Sequence, residues 1–125
     1  MKNLENNLAK RNDPQCPDEP VGIICASFRE GAPALVIITL EGKRWVMPWV
    51  HFLYAWHETR QELEQISLQY NSHKVLIEGV RLESSIQQFS KFGVEWIRSY
   101  DKRYLPLCPK DSPFIEKILI EEKSE

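Results

Sequence analysis

Glycine is scarce and scattered in this chain, and most phosphate-binding loop chemistry goes with it. The five glycines, Gly22, Gly31, Gly42, Gly79 and Gly93, never fall at the spacing of a GxGxxG or GxxxxGK[ST] loop. No GxSxG turn seats a serine nucleophile. Cysteine is sparser still: Cys16, Cys25 and Cys108 are odd in number and include no CxxC pair. They read as reduced thiols rather than a disulfide framework. The longest apolar run, Ala34 to Leu40, is far too short to cross a bilayer. No apolar signal segment follows Met1. An excess of one charge is missing too. Sixteen basic residues against eighteen acidic ones give a net charge of -2, which argues against broad attraction to nucleic acid or anionic membrane and leaves only local patches. Together these absences predict a cytoplasmic protein with no membrane contact.

What remains is an ordinary globular composition. With 125 residues, 42% hydrophobic and 27% charged, the chain has material for one core and no second domain. Residues 1–20 are polar and carry Pro14, Pro17 and Pro20, so they read as a flexible N-terminal tail. Residues 21–120 read as a single α+β domain, and the charged stretch 121–125 as a frayed C-terminus.

Inside the domain, strand signals alternate with turn signals. Val21 to Phe28 and Leu35 to Leu40 are apolar and rich in β-branched residues. Leu40-Glu41-Gly42-Lys43 is a hairpin turn in which Gly42 is free to take positive φ. The return strand from Arg44 meets Pro48, which lacks an amide donor and marks a kink, bulge or edge. Strand composition resumes over Val50 to Trp56. Ile66, Leu68 and Tyr70 alternate with Gln65, Ser67 and Gln69, the pattern of a strand with one wet face, and His73 to Glu78 returns after Asn71-Ser72. Leu82, Ile86 and Phe89 form an apolar stripe that predicts one helix over about 81–92, with Gly93 as its left-handed cap. Val94 to Tyr100 and Phe114 to Ile120 complete the strands, with Val94 and Trp96 expected on one face and Ile97 on the other. The expected fold is α+β: about seven short, mainly antiparallel strands in a strongly curled sheet or small barrel, with the helix packed against it.

Catalytic and metal chemistry find no seat. His57-Glu58 opens like a zinc-protease helix, but Gln61 stands where the second histidine belongs. His51 and His57 are about 20 Å apart on an uninterrupted strand, too far to share a metal. The expectation is therefore no catalytic residue, no metal site and no cofactor. An enzyme whose scattered site includes His51, His73 and Glu58 stays open as a third alternative.

One segment is unusual. Arg44 to His57, RWVMPWVHFLYAWH, holds three of the four tryptophans within twelve residues. Such rings either fill a core or form a contact surface. Beyond Pro48 the strand parity puts Phe52, Tyr54 and Trp56 together. The candidate partner-binding residues are Trp45, Trp49, Tyr54 and Trp56, and the expected function is a non-enzymatic interaction or regulatory module, a homodimer or bound to another protein. The alternative is a small barrel binding single-stranded nucleic acid through Arg98, Tyr100, Lys102 and Arg103, where cations interleave with rings. Nucleic acid is the less favoured partner because Glu95 and Asp101 interrupt the run.

Overall fold

Among the described residues eight strands form, and they divide between two four-stranded sheets. The computed structural model describes residues 22–123, so the tail expected over 1–20 and the final residues of 121–125 lie outside the described part. The strands are β1 (Ala26–Phe28), β2 (Ala34–Ile38), β3 (Arg44–Pro48), β4 (Phe52–Arg60), β5 (Leu63–Tyr70), β6 (His73–Val80), β7 (Val94–Arg98) and β8 (Phe114–Glu122). The first sheet has the order β1-β7-β2-β3 and the second β4-β5-β6-β8. The architecture is α+β and mostly strand, but among the described residues the strands form two open sheets rather than a closed barrel. Pro48 ends β3, and a single 3-10 turn over Trp49–His51 carries the chain out of one sheet and into the other.

The local signals explain most of this. In the β2–β3 hairpin the Gly42 amide donates to Thr39, and Gly42 takes φ +94°, a conformation open to glycine without strain. β4, β5 and β6 pair antiparallel as consecutive strands, and β8 returns to pair antiparallel with β6. β7 instead enters the first sheet between β1 and β2, parallel to β2, a long-range pairing that no local pattern specifies. A register shift in the β1–β7 pair brings Val94 and Ile97 both to the core side, with Trp96 facing outward opposite Val36. This corrects the simple alternation expected there. Gly79 occupies a second irregularity, between β6 and β8, where a Cβ would lie 1.9 Å from the Phe114 carbonyl oxygen.

The helix is shorter than its stripe suggests. α1 spans only Ile86–Ser90, preceded by a 3-10 turn over Glu83–Ser85. Leu82 and Phe89 are buried, and Ile86 is half-buried against the core. The left-handed residue at its end is Phe92 (φ 55°), not Gly93, whose amide donates to Gln88 at 2.8 Å. An aromatic residue in that conformation is costly. Its ring stacks on Trp49 at 5.5 Å, an interaction that offsets the strain.

A single core lies between the inner faces of the two sheets. Leu35, Ile37 and Ile97 come from the first sheet, Ile66, Leu68, Val75 and Ile77 from the second, and Leu82 and Phe89 from the helical segment. Cys25 and Cys108 are free, buried thiols, and Cys16 lies outside the described residues. Burial pushes the Cys25 thiol up to about 11, so it behaves as a packing group rather than a nucleophile.

Candidate interaction surface

β4 decides which aromatic rings meet solvent. Its pairing with β5 shifts register between Phe52 and Tyr54, and Leu53 is the extra residue. Phe52 consequently packs inward, while Tyr54 and Trp56 project from the opposite face. The shared face expected for all three rings is thus broken at one residue. Tyr54 and Trp56 stack on each other with centroids 6.0 Å apart and planes at 24°. They remain 56% and 44% exposed, high values for two large rings in contact.

Trp49 has the opposite fate. It is 4% exposed and central to the core, stacked on Tyr70 and Phe92 and edge-on to Phe52 and Phe89. Trp45 points inward opposite Ile37 and is half-buried. It meets the His73 ring edge-on at 5.7 Å, with the Lys43 Nζ 5.2 Å from its centroid. Of the four candidate contact residues, two therefore share an outer face and two pack with the core.

The register extends the outer face beyond β4. Trp56 lies opposite Ser67, Ser67 opposite Leu76, and Leu76 opposite Leu119. One row thus crosses all four strands, with Leu119 41% exposed at its far end. The polar side of β5 is not wet as expected. Ser67 is 1% exposed, and Gln65 and Gln69 are also buried, because the strand is flanked by the larger side chains of β4 and β6. Their amides are engaged on the face itself: Gln69 donates to Ser67 at 3.0 Å and Gln65 to Glu78 at 3.2 Å. Leu76 and Leu119 carried a legible signal in their sequence. Each is apolar at the strand parity opposite to that of Val75, Ile77, Ile118 and Ile120.

No protein-family model, curated protein or solved structure matches the chain. Its surfaces are therefore read from their own geometry.

The cations and tyrosines of the nucleic-acid alternative partly assemble. The Arg98 guanidinium lies 5.0 Å from the Tyr100 centroid, and that of Arg103 lies 5.0 Å from Tyr104. The two tyrosines meet edge-on at 6.3 Å, so both pairs join in one cluster. Lys102 stands apart, exposed at the start of the 3-10 segment Lys102–Leu107 and lining a groove with Arg60, Glu62 and Glu116.

The three histidines take separate partners. His51 meets Asn71, His73 meets Ser72, and His57 Nε2 lies 2.9 Å from Glu64 Oε1. Glu58 pairs with Arg60 on the outer face. Among the described residues, no group of three or more His, Cys, Asp or Glu side chains is placed to hold a metal ion. Glu64 reads from the sequence as an ordinary solvated carboxylate, yet among the described residues it is the most engaged one. It accepts from the backbone amides of Arg81 and Leu82, both at 2.8 Å, as well as meeting His57. Burial opposes its charge, but the His57 side chain and the two amides together outweigh that and hold it below the usual carboxylate range. With its oxygens occupied, Glu64 clamps the left-handed turn at Arg81 (φ 60°) to the β4–β5 hairpin.

Proposed function

We propose that this protein is a small, non-enzymatic interaction module of the cytoplasm that self-associates through the aromatic-rich outer face of β4. The observation that carries the reading is the stacked, solvent-facing pair Tyr54 and Trp56. Two large rings stacked on each other offer apolar area with few rotatable bonds to order, the character of a contact centre rather than of an ordinary surface. Across the buried Ser67, the same row carries Leu76 and the exposed Leu119, so the face is apolar at both ends of the row. A homodimer is the simplest partner, since a two-fold axis lets one patch cover itself.

Native mass spectrometry of the purified protein tests this. A dimer mass that falls to the monomer in Trp56→Ala, with an unchanged thermal melt, is the expected result. A wild-type monomer across the micromolar range overturns it.

A second reading has its own observation, the joined Arg98–Tyr100–Tyr104–Arg103 cluster. Rings and guanidinium groups of this kind hold single-stranded nucleic acid. It stands second because one face of each tyrosine already carries the chain's own arginine. Salt-dependent anisotropy of a labelled single strand, lost in the Arg98→Ala, Arg103→Ala double variant, would bring it first.

A further inference from the structure

Resting on the self-association reading above, we propose that the partner is a second copy packed face to face on the outer surface of β4–β5–β6–β8, with the two-fold axis running along the row Trp56–Ser67–Leu76–Leu119. The charges beside that row set this orientation. Two residues to one side, Lys74 on β6 lies opposite Glu121 on β8 and pairs with it at 3.7 Å. Two residues to the other side, Glu78 lies opposite Lys117. Both flanks thus carry one charge of each sign, and the order on β6 (Lys74 then Glu78) is repeated on β8 (Lys117 then Glu121).

A two-fold axis along the central row lays each strand over its own copy and exchanges the flanks. Lys74 then faces Glu78 of the second copy, and Lys117 faces Glu121 of the second copy. Symmetry doubles both contacts, giving four opposite-charge pairs and no like-charge pair among these residues. The competing two-fold, along the strands, opposes Glu58 to Lys117 and leaves Lys74 facing Gln69. Charge complementarity therefore selects the first orientation.

The face is also prepared for covering. Its buried amides are already hydrogen-bonded within the face, so a second copy covers them without leaving them unpaired. Trp56, Leu76 and Leu119 meet their own copies along the axis. Four strands of eight or nine residues make a footprint of about 19 by 30 Å. That is about 570 Å², near the lower end of one side of a standard-size interface. Two sheets stacked this way pack about 10 Å apart.

A charge-swap experiment tests the orientation. One variant carries Lys74→Glu and Lys117→Glu, and the other Glu78→Lys and Glu121→Lys. Each is assayed alone and in equimolar mixture by native mass spectrometry and sedimentation velocity, with circular dichroism melts to establish folding. The swaps also break the Lys74–Glu121 pair and the bond from Gln65 to Glu78 within each copy, so the melts decide which variants are compared; the single changes Lys74→Glu and Glu78→Lys serve if either double variant does not fold. The wild type should be a dimer. Each variant alone should lose affinity on the order of 100-fold, because every opposed pair becomes like-charged, and the mixture should restore a one-to-one heterodimer. Folded variants that dimerise as the wild type does, or that fail to pair when mixed, overturn this interface while leaving self-association intact. A monomeric wild type, whether bare or carrying another protein or a nucleic acid, overturns both.

Discussion

Trp49 and Trp56 are seven residues apart in one aromatic segment, yet they do opposite things. Trp49 sits on the 3-10 turn that links the sheets, enclosed by Phe52, Tyr70, Phe89 and Phe92. Trp56 lies on a strand beyond a one-residue bulge, stacked only on Tyr54 and open to solvent. Composition treats the two alike. The Leu53 bulge and the Pro48 turn separate them. A cluster of rings in a sequence is thus not one feature. Here the same segment builds a core on one side of an irregularity and a surface on the other.

The largest expected effect breaks the core side of this contrast. Trp49→Ala should cost about 3–5 kcal/mol of folding stability, the usual price of deleting a buried aromatic. Urea denaturation measures it, and a loss below about 1 kcal/mol would mean that Trp49 is not a core residue. The next effect contrasts two carboxylates on opposite faces of the β4–β5 hairpin. Glu64→Gln should cost about 1–3 kcal/mol at pH 7, since charged hydrogen bonds to Arg81 and Leu82 are weakened. Glu58→Gln, which removes only an exposed pair with Arg60, should change stability by less than about 0.5 kcal/mol.

The same pair carries a pH signature. The folded-state pKa of Glu64 is depressed, so its contribution is complete above the unfolded carboxyl value of about 4.3 and is lost as pH falls through the lower folded value. The stability gap between wild type and Glu64→Gln should therefore close on acidification below about pH 4. A gap that is constant with pH would contradict the clamp.

How much of this was legible depended on whether the determining interaction was local. Alternation over Ile66, Leu68 and Tyr70 named their core side, Gly42 marked its turn, and Pro48 marked the end of a strand. Neighbouring residues fix all three. The burial of Ser67 was not readable from its own strand, because it is produced by side chains on β4 and β6. Phe92 in the left-handed position depends on a stacking partner in another segment. The insertion of β7 beside β2 depends on a pairing about sixty residues away, and so the division into two sheets was hidden. The candidate surface was half legible: Tyr54 and Trp56 stood out by type, while Leu76 and Leu119 needed the register to join them.

The two smallest effects sharpen the contrast further. Trp56→Ala should change monomer stability by only about 1 kcal/mol, because nearly half the ring is already in water. A loss as large as that of Trp49→Ala would erase the distinction. Tyr70→Phe should be neutral or slightly stabilising. The Tyr70 hydroxyl is buried with no hydrogen-bond partner among the described residues, and burial pushes its phenol well above the ordinary value. Removing it takes away a desolvation cost of about 1 kcal/mol or more. A destabilised Tyr70→Phe would reveal a partner for that hydroxyl.

The most direct test of the contrast is hydroxyl-radical footprinting of the wild-type protein across a dilution series, read tryptophan by tryptophan. Trp49 should be protected at every concentration, while Trp56 should react freely when dilute and become protected as concentration rises. A Trp56 equally reactive at all concentrations would contradict the claim that its face is where one copy meets another.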